Sequence, residues 1–193
     1  MLLQKIPGQE KRLSLYQAAL KGDWQEATGV LAEYPDAFHD SITETGETVL
    51  HIAAAANQPN FVKELLKLME VKDLELKNKY GQTALYLAAA SGNVIIAKEM
   101  VKMHDNREVI IAEEMMEKND KLTLIRCEGE MKCTPLYIAA LLGRREMVSY
   151  LFSVTSFEAL SPEEQIKLLV ATISNGLYGM FHFSIILSLN QLI

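Results

Sequence analysis

The chain has 193 residues, of which 49% are apolar, and its 25 acidic and 19 basic side chains give a formal net charge of −6. This apolar share is enough for one ordinary domain or a short repeat array, and the acidic balance argues against nucleic acid as a partner. Two cysteines are too few for a secreted disulfide framework, and the N-terminus lacks the apolar core of a secretory signal, so we expect a cytoplasmic location.

One stretch of about ten residues recurs along the chain. The copies are "LSLYQAALKG" from Leu13, "TVLHIAAAAN" from Thr48, "TALYLAAASG" from Thr83 and "TPLYIAALLG" from Thr134. They are separated by 35, 35 and 51 residues, so the last interval holds one period and 16 extra residues. A weaker fifth copy, "IKLLVATISNG", starts at Ile166. The recurrence predicts a repeat array.

Each copy predicts a short helix, a tight turn and a second helix. Apolar residues behind the turn recur at i, i+1, i+4 and i+5, which makes one buried stripe on a helix. Two small residues in the short helix let neighbouring units approach closely, and a unit of this size buries its apolar face only by stacking. The expected turns lie at Gly22, Asn57, Gly92 and Gly143, and the alanine pairs are Ala18–Ala19, Ala53–Ala54, Ala88–Ala89 and Ala139–Ala140.

Two segments depart from the repeat before its C-terminal end. Residues 1–12 precede the first copy as an N-terminal extension, and the repeat region is expected to cover 13–176. The extra residues fall within 104–132, where the composition predicts a short helix over Glu108 to Lys118. A charged surface loop is the favoured interpretation of this insertion, and a lid that contacts a partner is the alternative. Further on, "SPEE" predicts a helix that begins with Ser161 as N-cap.

The segment 177–193, "LYGMFHFSIILSLNQLI", is an atypical apolar tail without Asp, Glu, Lys or Arg. Its uninterrupted apolar runs are shorter than the roughly 20 residues that cross a bilayer as a helix. Three interpretations compete: a hydrophobic helix that docks on a missing domain, a membrane-proximal segment, and a tail from alternative or misread coding sequence. The abrupt end of the repeat pattern at Gly179 favours the last.

His51 is the histidine that the repeat itself contains, and its position is held by Tyr16, Tyr86 and Tyr137 in the other copies. A metal ligand or general base would not survive that exchange. Histidine and tyrosine share a flat ring with a polar tip that can hydrogen-bond a neighbouring loop. We therefore predict a structural role for His51, and we expect Thr48 and its counterparts to cap the short helices.

The remaining candidates for chemistry do not form a site. Cys127 and Cys133 are six residues apart with no second pair, so zinc spacing is not met and buried or idle thiols are expected. No glycine-rich phosphate-binding motif and no H-x-x-x-H pair is present. We therefore expect no enzyme, no bound metal and no cofactor.

These copies resemble the ankyrin repeat, whose signature is a Gly-x-Thr-Pro-Leu-His-x-Ala-Ala stretch on a period of about 33 residues. The resemblance implies an all-α solenoid of stacked helix-turn-helix units with β-hairpin-like loops along one edge, and a monomer that binds another protein. More narrowly, the longer period, Pro35, the insertion and the C-terminal "SPEEQIKLLVATISNGLYG" resemble plant ankyrin proteins with a C-terminal PGG-type membrane domain, which is absent from this sequence. Membrane association would then require that missing domain.

The resemblance also implies where a partner would bind and in what context. Proteins of the plant family suggest a signalling or stress- and defence-response role; a separated cytosolic regulatory domain of a membrane transport protein or channel is the alternative. The centre of contact is expected across the third and fourth units, unless the insertion folds over Leu141 and Leu142 and buries them. The candidate contacts are Glu44, Thr45, Glu47, Lys79, Tyr80, Gln82, Glu130, Met131 and Lys132 at hairpin tips, and Ala90, Ser91, Leu141 and Leu142 in the groove.

Overall fold

Helices form all of the regular structure in the parts of the chain, residues 7–111, 121–129 and 132–177, that the computed structural model describes, and these ranges contain no β-strand. The α-helices are α1 (Pro7–Lys21), α2 (Trp24–Glu33), α3 (Val49–Ala55), α4 (Pro59–Leu66), α5 (Ala84–Ser91), α6 (Val94–Ile111), α7 (Lys121–Leu124), α8 (Pro135–Leu141), α9 (Arg145–Val154) and α10 (Pro162–Ser174). Short 3₁₀ turns lie at Pro35–Phe38, Val71–Glu75 and Phe157–Ala159.

The helices form two layers. An inner layer stacks α1, α3, α5, α8 and α10 in that order, each helix against the next. Helices α2, α4, α6 and α9 form an outer layer, and each pairs with the inner helix that precedes it. This is the stacked helix-turn-helix arrangement that the repeats predict. Because each unit contacts mainly its neighbours, the fold is close to one-dimensional.

The core lies between the two layers and between successive units. All four alanine pairs of the inner helices are fully buried, which confirms the close approach predicted from their size. The apolar stripes of the outer helices cover them from the other side. The buried stripe residues are Phe61, Val62, Leu65 and Leu66 in α4, Ile96, Ala97, Met100 and Val101 in α6, and Met147, Val148 and Leu151 in α9.

The turns between the paired helices fall where the repeats predict them. Gly22, Gly92 and Gly143 have φ values of 75°, 83° and 67°, and Asn57 has a φ of 63°. Glycine reaches this left-handed region without a steric penalty, and asparagine is among the side chains that tolerate it. Glycine or asparagine at the turn therefore allows the chain to reverse direction between the two helices of a unit.

Side-chain caps start the inner helices. The hydroxyl of Thr83 accepts from the backbone N–H of Tyr86 at 3.3 Å, and that of Thr134 accepts from the N–H of Tyr137 at 3.2 Å. Ser161 and Glu164 cap each other's backbone N–H groups at the start of α10, at 3.3 and 2.8 Å. These bonds confirm the predicted caps, because each satisfies a donor that has no partner within the helix.

Two helices differ from the repeat pattern in length. Helix α1 begins at Pro7 and so includes residues that the pattern assigns to the N-terminal extension. Helix α6 has 18 residues against 8 in α4, and it runs unbroken to Ile111. The expected separate helix over 108–118 is thus in part a continuation of α6, and its remainder lies outside the described residues. The expectations for the tail beyond Leu177 also lie outside them.

Candidate protein-binding surface

His51 joins two units through its ring. Its Nδ1 accepts from the backbone N–H of Thr48 at 3.3 Å and lies 2.8 Å from the Thr48 hydroxyl, and its Nε2 donates to the carbonyl of Gln82 at 3.0 Å. A carbonyl only accepts, so the proton is on Nε2 and the ring is neutral. Burial lowers the pKa of His51, which favours the neutral ring. This is the structural role that the tyrosines of the other units predict.

Tyr86, the counterpart of His51 in the third unit, lies against the two cysteines. Burial raises the pKa of its hydroxyl to about 12. Burial and the neighbouring Cys127 raise the pKa of Cys133 to about 11. Both thiols are free, and the Cys127 sulfur accepts from the backbone N–H of Cys133 at 3.0 Å. A thiol with so high a pKa is a poor nucleophile at neutral pH, as expected of an idle cysteine.

The loops between units form a ladder of backbone hydrogen bonds. The N–H of Lys79 donates to the carbonyl of Thr45 at 2.9 Å, and the N–H of Glu128 donates to the carbonyl of Tyr80 at 2.8 Å. Each hairpin-like loop is therefore tied to the next one. These backbone hydrogen bonds join neighbouring loops as they would join the strands of a sheet, although the loops are too short to form strands.

Asn78 organises the third-unit loop. Its side-chain oxygen accepts from the backbone N–H groups of Tyr80 and Gln82, both at 3.0 Å, and its amide nitrogen donates to Glu47 and Gln82 side chains, also at 3.0 Å. The repeat pattern did not indicate a role for Asn78. Its role could have been indicated by its place in the sequence, two residues ahead of a Tyr-Gly turn, because asparagine side chains commonly bond the backbone of such turns.

Glu47 belongs to the same network and is half-buried. It accepts hydrogen bonds from the hydroxyls of Thr43 and Thr45 as well as from Asn78. Burial alone would raise the pKa of its carboxyl group, but these hydrogen bonds outweigh it and hold the pKa below its ordinary value. The half-buried Glu47 is therefore bonded both within its own loop and to the loop of the third unit.

The other candidate contacts divide into two groups. Tyr80 is 56% exposed at the tip of the third-unit loop, and Leu141 and Leu142 are 40% and 47% exposed at the end of α8. The side chains of Glu44, Lys79 and Lys132 are exposed too; those of Thr45, Gln82, Ala90 and Ser91 are half-buried; Glu130 and Met131 lie outside the described residues.

The end of α8 is held firmly against its neighbours. The guanidinium of Arg144 donates to the carbonyl of Ala90 at 3.0 Å, which ties the turn after α8 to α5. The amide of Asn175 donates to the carbonyls of Ala140 and Leu141 at 3.1 and 3.2 Å. The backbone is thus fixed on both sides while the side chains of Leu141 and Leu142 stay exposed. A rigid, exposed apolar pair of this kind is suited to contact another molecule.

A concave feature lies beside the first helix. An open cleft of about 730 Å³ separates the first turns of α1 from the loop of the second unit. One wall of the cleft includes residues of α1 that precede the first repeat copy, and the repeat pattern did not predict that this helix starts so early. The residues along it include Gln9, Arg12, Leu13, Tyr16, Ile42 and Glu44.

The described side chains contain no group of three or more His, Cys, Asp or Glu residues that could hold a metal ion. Across the described ranges, no helix combines the length and apolar character that a bilayer crossing requires. What the geometry does provide is a stacked helical array with hydrogen-bonded neighbouring loops and two exposed leucines at the end of α8. Arrays of this class bind other macromolecules through such surfaces.

A family model described as "Ankyrin repeats (3 copies)" matches residues 15–111 and 68–161. The two matches together cover more than half of the chain, so the protein belongs to the ankyrin-repeat family. A search of curated proteins found no match. The all-α ankyrin solenoid predicted from the sequence is thereby confirmed. Ankyrin repeats are a non-catalytic interaction fold, and the chain is a protein–protein interaction module.

Proposed function

We propose that the chain binds its partner through the groove and loop tips of the third and fourth units, as part of an intracellular signalling or stress- and defence-response protein of the plant PGG ankyrin type. The main support for this location is that Leu141 and Leu142 are exposed at the end of a helix whose other apolar side chains are mostly buried. Burying two leucines on association is favourable, by roughly 1.5 to 3 kcal/mol for each one that becomes fully covered. The proposal includes no catalysis.

The surroundings of the two leucines indicate what the partner offers. Ala90 and Ser91 are small and half-buried, so the groove beside the leucines has room for an apolar side chain. The loop edge carries exposed charges of both signs, because Glu44 and Glu128 are exposed there as well as Lys79 and Lys132, so it favours a polar rim without a preferred sign. The complementary segment therefore offers an apolar residue with polar neighbours.

The loop residues with inward bonds act as support in this proposal. Asn78 fixes the backbone on both sides of Tyr80, so the exposed aromatic ring is presented from a rigid loop. Aromatic side chains held in this way are enriched at binding hot spots because little entropy is lost on contact. Glu47, Thr45 and Gln82 then contribute through the shape of the loop.

A comparison of two variants tests the site. The double variant Leu141→Ser/Leu142→Ser and the single variant Leu20→Ser are immobilised next to the unchanged chain, and the proteins retained from a cell extract are quantified. Leu20 is exposed and has the same place in the first unit that Leu141 has in the fourth. We expect at least about tenfold weaker retention, or about 1.4 kcal/mol, for the double variant alone. Equal losses in both variants would reject the third-and-fourth-unit site, as would early melting of the double variant.

A further inference from the structure

The loop of the second unit has a backbone donor that its counterpart in the third unit uses. The N–H of Lys79 donates to the carbonyl of Thr45, which is one step of the ladder between neighbouring loops. Glu44 has the place of Lys79 in the second unit, 35 residues earlier. Within the described residues, the N–H of Glu44 has no acceptor. An unused donor at the end of a row of backbone hydrogen bonds is a point at which another chain can pair.

The first unit has a helix where the second and third units have a loop. Residues 7–12 correspond to residues 42–47 and 77–82, but they form the first turns of α1. In the described part of the first unit, no loop therefore stands before Glu44 as the second-unit loop stands before Lys79.

The exposure of Leu13 shows the effect of the missing loop. Leu13 follows the helical residues 7–12 and is 57% exposed. Ile166, its counterpart in α10, also lies within a helix that begins early, and it is 50% exposed. The counterparts in the three units that have a loop are buried: Thr48, Thr83 and Thr134. This position is thus covered in each unit where a loop precedes the helix.

The cleft beside α1 lies at the same end of the ladder. Residues of α1, among them Leu13 and Tyr16, line one side of it, and residues 41–44 of the second-unit loop line the other. Its volume of about 730 Å³ is within the range of roughly 300 to 1,000 Å³ that ligand sites have. Because Glu44 is among the lining residues, the unused donor and the cleft belong to one site.

We propose that this cleft binds an extended segment of another protein. A backbone carbonyl of the segment accepts from the N–H of Glu44, as Thr45 accepts from Lys79, and its apolar side chains pack on Leu13 and Tyr16. An extended peptide that continues a row of backbone hydrogen bonds gains affinity from its main chain and specificity from the side-chain contacts. This site is separate from the contact across the third and fourth units, and the inference does not depend on that contact.

The lining of the cleft favours a polypeptide over a small ion. Arg12 lines it together with Glu10 and Glu44, so charges of both signs are present and none attracts an ion of one sign. A polypeptide instead supplies what the site lacks, a carbonyl acceptor next to apolar side chains. We therefore expect binding to depend little on salt, because screening acts mainly on unbalanced charges.

Proline at position 44 removes the donor without removing the turn. The N–H of Gly46 donates to the carbonyl of Thr43 at 3.3 Å, so Glu44 is the second residue of this turn, a position at which proline is common. Glu44→Pro therefore deletes the backbone N–H. Glu44→Ala deletes the side chain and keeps the N–H, which makes it the matched control.

Peptide selection on the full chain tests the site. Short random-sequence peptides displayed on phage are enriched on the unchanged chain, then synthesised, and their dissociation constants are measured by calorimetry. We expect peptides that bind the unchanged chain and Glu44→Ala equally well but bind Glu44→Pro at least about tenfold more weakly. Hydrogen exchange at the Glu44 amide should be fast in the free chain and slowed by the bound peptide.

Several results would overturn the inference. The cleft is not a peptide site if no peptide is enriched, or if every enriched peptide depends on Leu141 and Leu142 and none on position 44. Equal affinity for Glu44→Pro and the unchanged chain would exclude the backbone contact, and equal losses in Glu44→Pro and Glu44→Ala would assign binding to the side chain. Slow exchange at Glu44 in the free chain would show that the chain itself already uses this donor.

A second variant keeps the test decisive if the loop itself is disturbed by proline. Leu13→Ser changes the opposite side of the cleft and leaves the second-unit loop intact, and it should also weaken the same peptides at least about tenfold. Circular dichroism reports whether each variant is folded. Full binding by a folded Leu13→Ser variant would contradict the proposal.

Discussion

At the scale of single residues, the exchange of histidine for tyrosine between units has a clear physical basis. His51 uses both ring nitrogens to connect a helix start with the next loop, whereas Tyr86 leaves the helix start to Thr83 and contacts Cys127. The polar tip can therefore change its partner while the ring keeps its place in the core. Such a position tolerates either residue but not a charged ring.

The presence of a buried histidine at position 51, where other units have tyrosine, predicts that stability depends on pH. Burial holds the pKa of His51 below its ordinary value of 6.5, which the unfolded chain retains. As pH falls below that value, the unfolded state binds a proton that the folded state does not, so the free energy of unfolding falls. His51→Tyr removes this group and should lose less stability than the unchanged chain between about pH 7.5 and about pH 5.5.

Urea unfolding of both proteins at the two pH values measures the effect. All other residues are common to both chains, so the comparison isolates the side chain at position 51. At the higher pH the substitution should change the free energy of unfolding by less than about 1.5 kcal/mol, the usual net value of one hydrogen bond. Parallel pH curves would mean that His51 is as easily protonated when folded as when unfolded.

The role of His51 could be predicted from the sequence because the chain contains its own comparison, four versions of one position. The network around Asn78 could not be predicted in the same way. Its bond to Glu47 joins residues 31 apart, and no sibling unit repeats that pair of residue types. A repeat reveals which side chains are interchangeable, whereas contacts that differ from unit to unit become visible only in three dimensions.

At the scale of the elements, the loop of the third unit depends on a close backbone approach. Gly81 has a φ of 70°, and a Cβ atom at this position would collide with the backbone nitrogen of Glu128. The left-handed conformation alone costs a non-glycine residue roughly 1 to 2 kcal/mol. The loop-to-loop ladder therefore requires glycine at this position for two separate reasons.

Gly81→Ala should accordingly lower the free energy of unfolding by about 2 kcal/mol or more. Gly29→Ala is the control, because Gly29 lies within α2 and a Cβ atom there meets no neighbour. Alanine in an exposed helix should raise stability by roughly 0.8 to 1 kcal/mol. Chemical denaturation of the two variants measures the opposite signs. A neutral result for Gly81→Ala would show that the contact with Glu128 is easily displaced.

The ends of the helices were harder to predict than their buried faces. The period of the repeat locates the apolar stripe of α6, but the helix end depends on a stop signal, and no glycine or proline occurs between Asn93 and Glu128. The helix therefore continues past the length of its counterparts. The early start of α1 has a similar cause, because Pro7 is a favourable first residue for a helix.

At the scale of the whole molecule, stability should be distributed unit by unit. Contacts are mainly between neighbours, so a defect at one end need not reach the other at once. The single tryptophan, Trp24, packs edge-on against Phe61 with ring centroids 5.2 Å apart. Its fluorescence therefore reports on the first two units, while circular dichroism reports on all of them.

A pair of equivalent cavities tests this independence. Leu136→Ala and Leu50→Ala remove the same buried leucine from the fourth and the second unit, and each should cost about 2 to 5 kcal/mol locally. Leu136→Ala should lower the thermal midpoint seen by circular dichroism well before the tryptophan midpoint moves. Leu50→Ala should lower both. Coincident transitions in both variants would show that the array unfolds as one cooperative body.

The length of α6 restricts how the molecule can be approached. Its 18 residues exceed the 10 of α9 by eight, which adds about 12 Å to one member of the outer layer. The outer layer is therefore uneven in length, with its longest described helix in the third unit. The inner layer is uneven too, because α1 has 15 residues and α3 has 7. A partner that covers either layer as a whole must accommodate these differences in helix length.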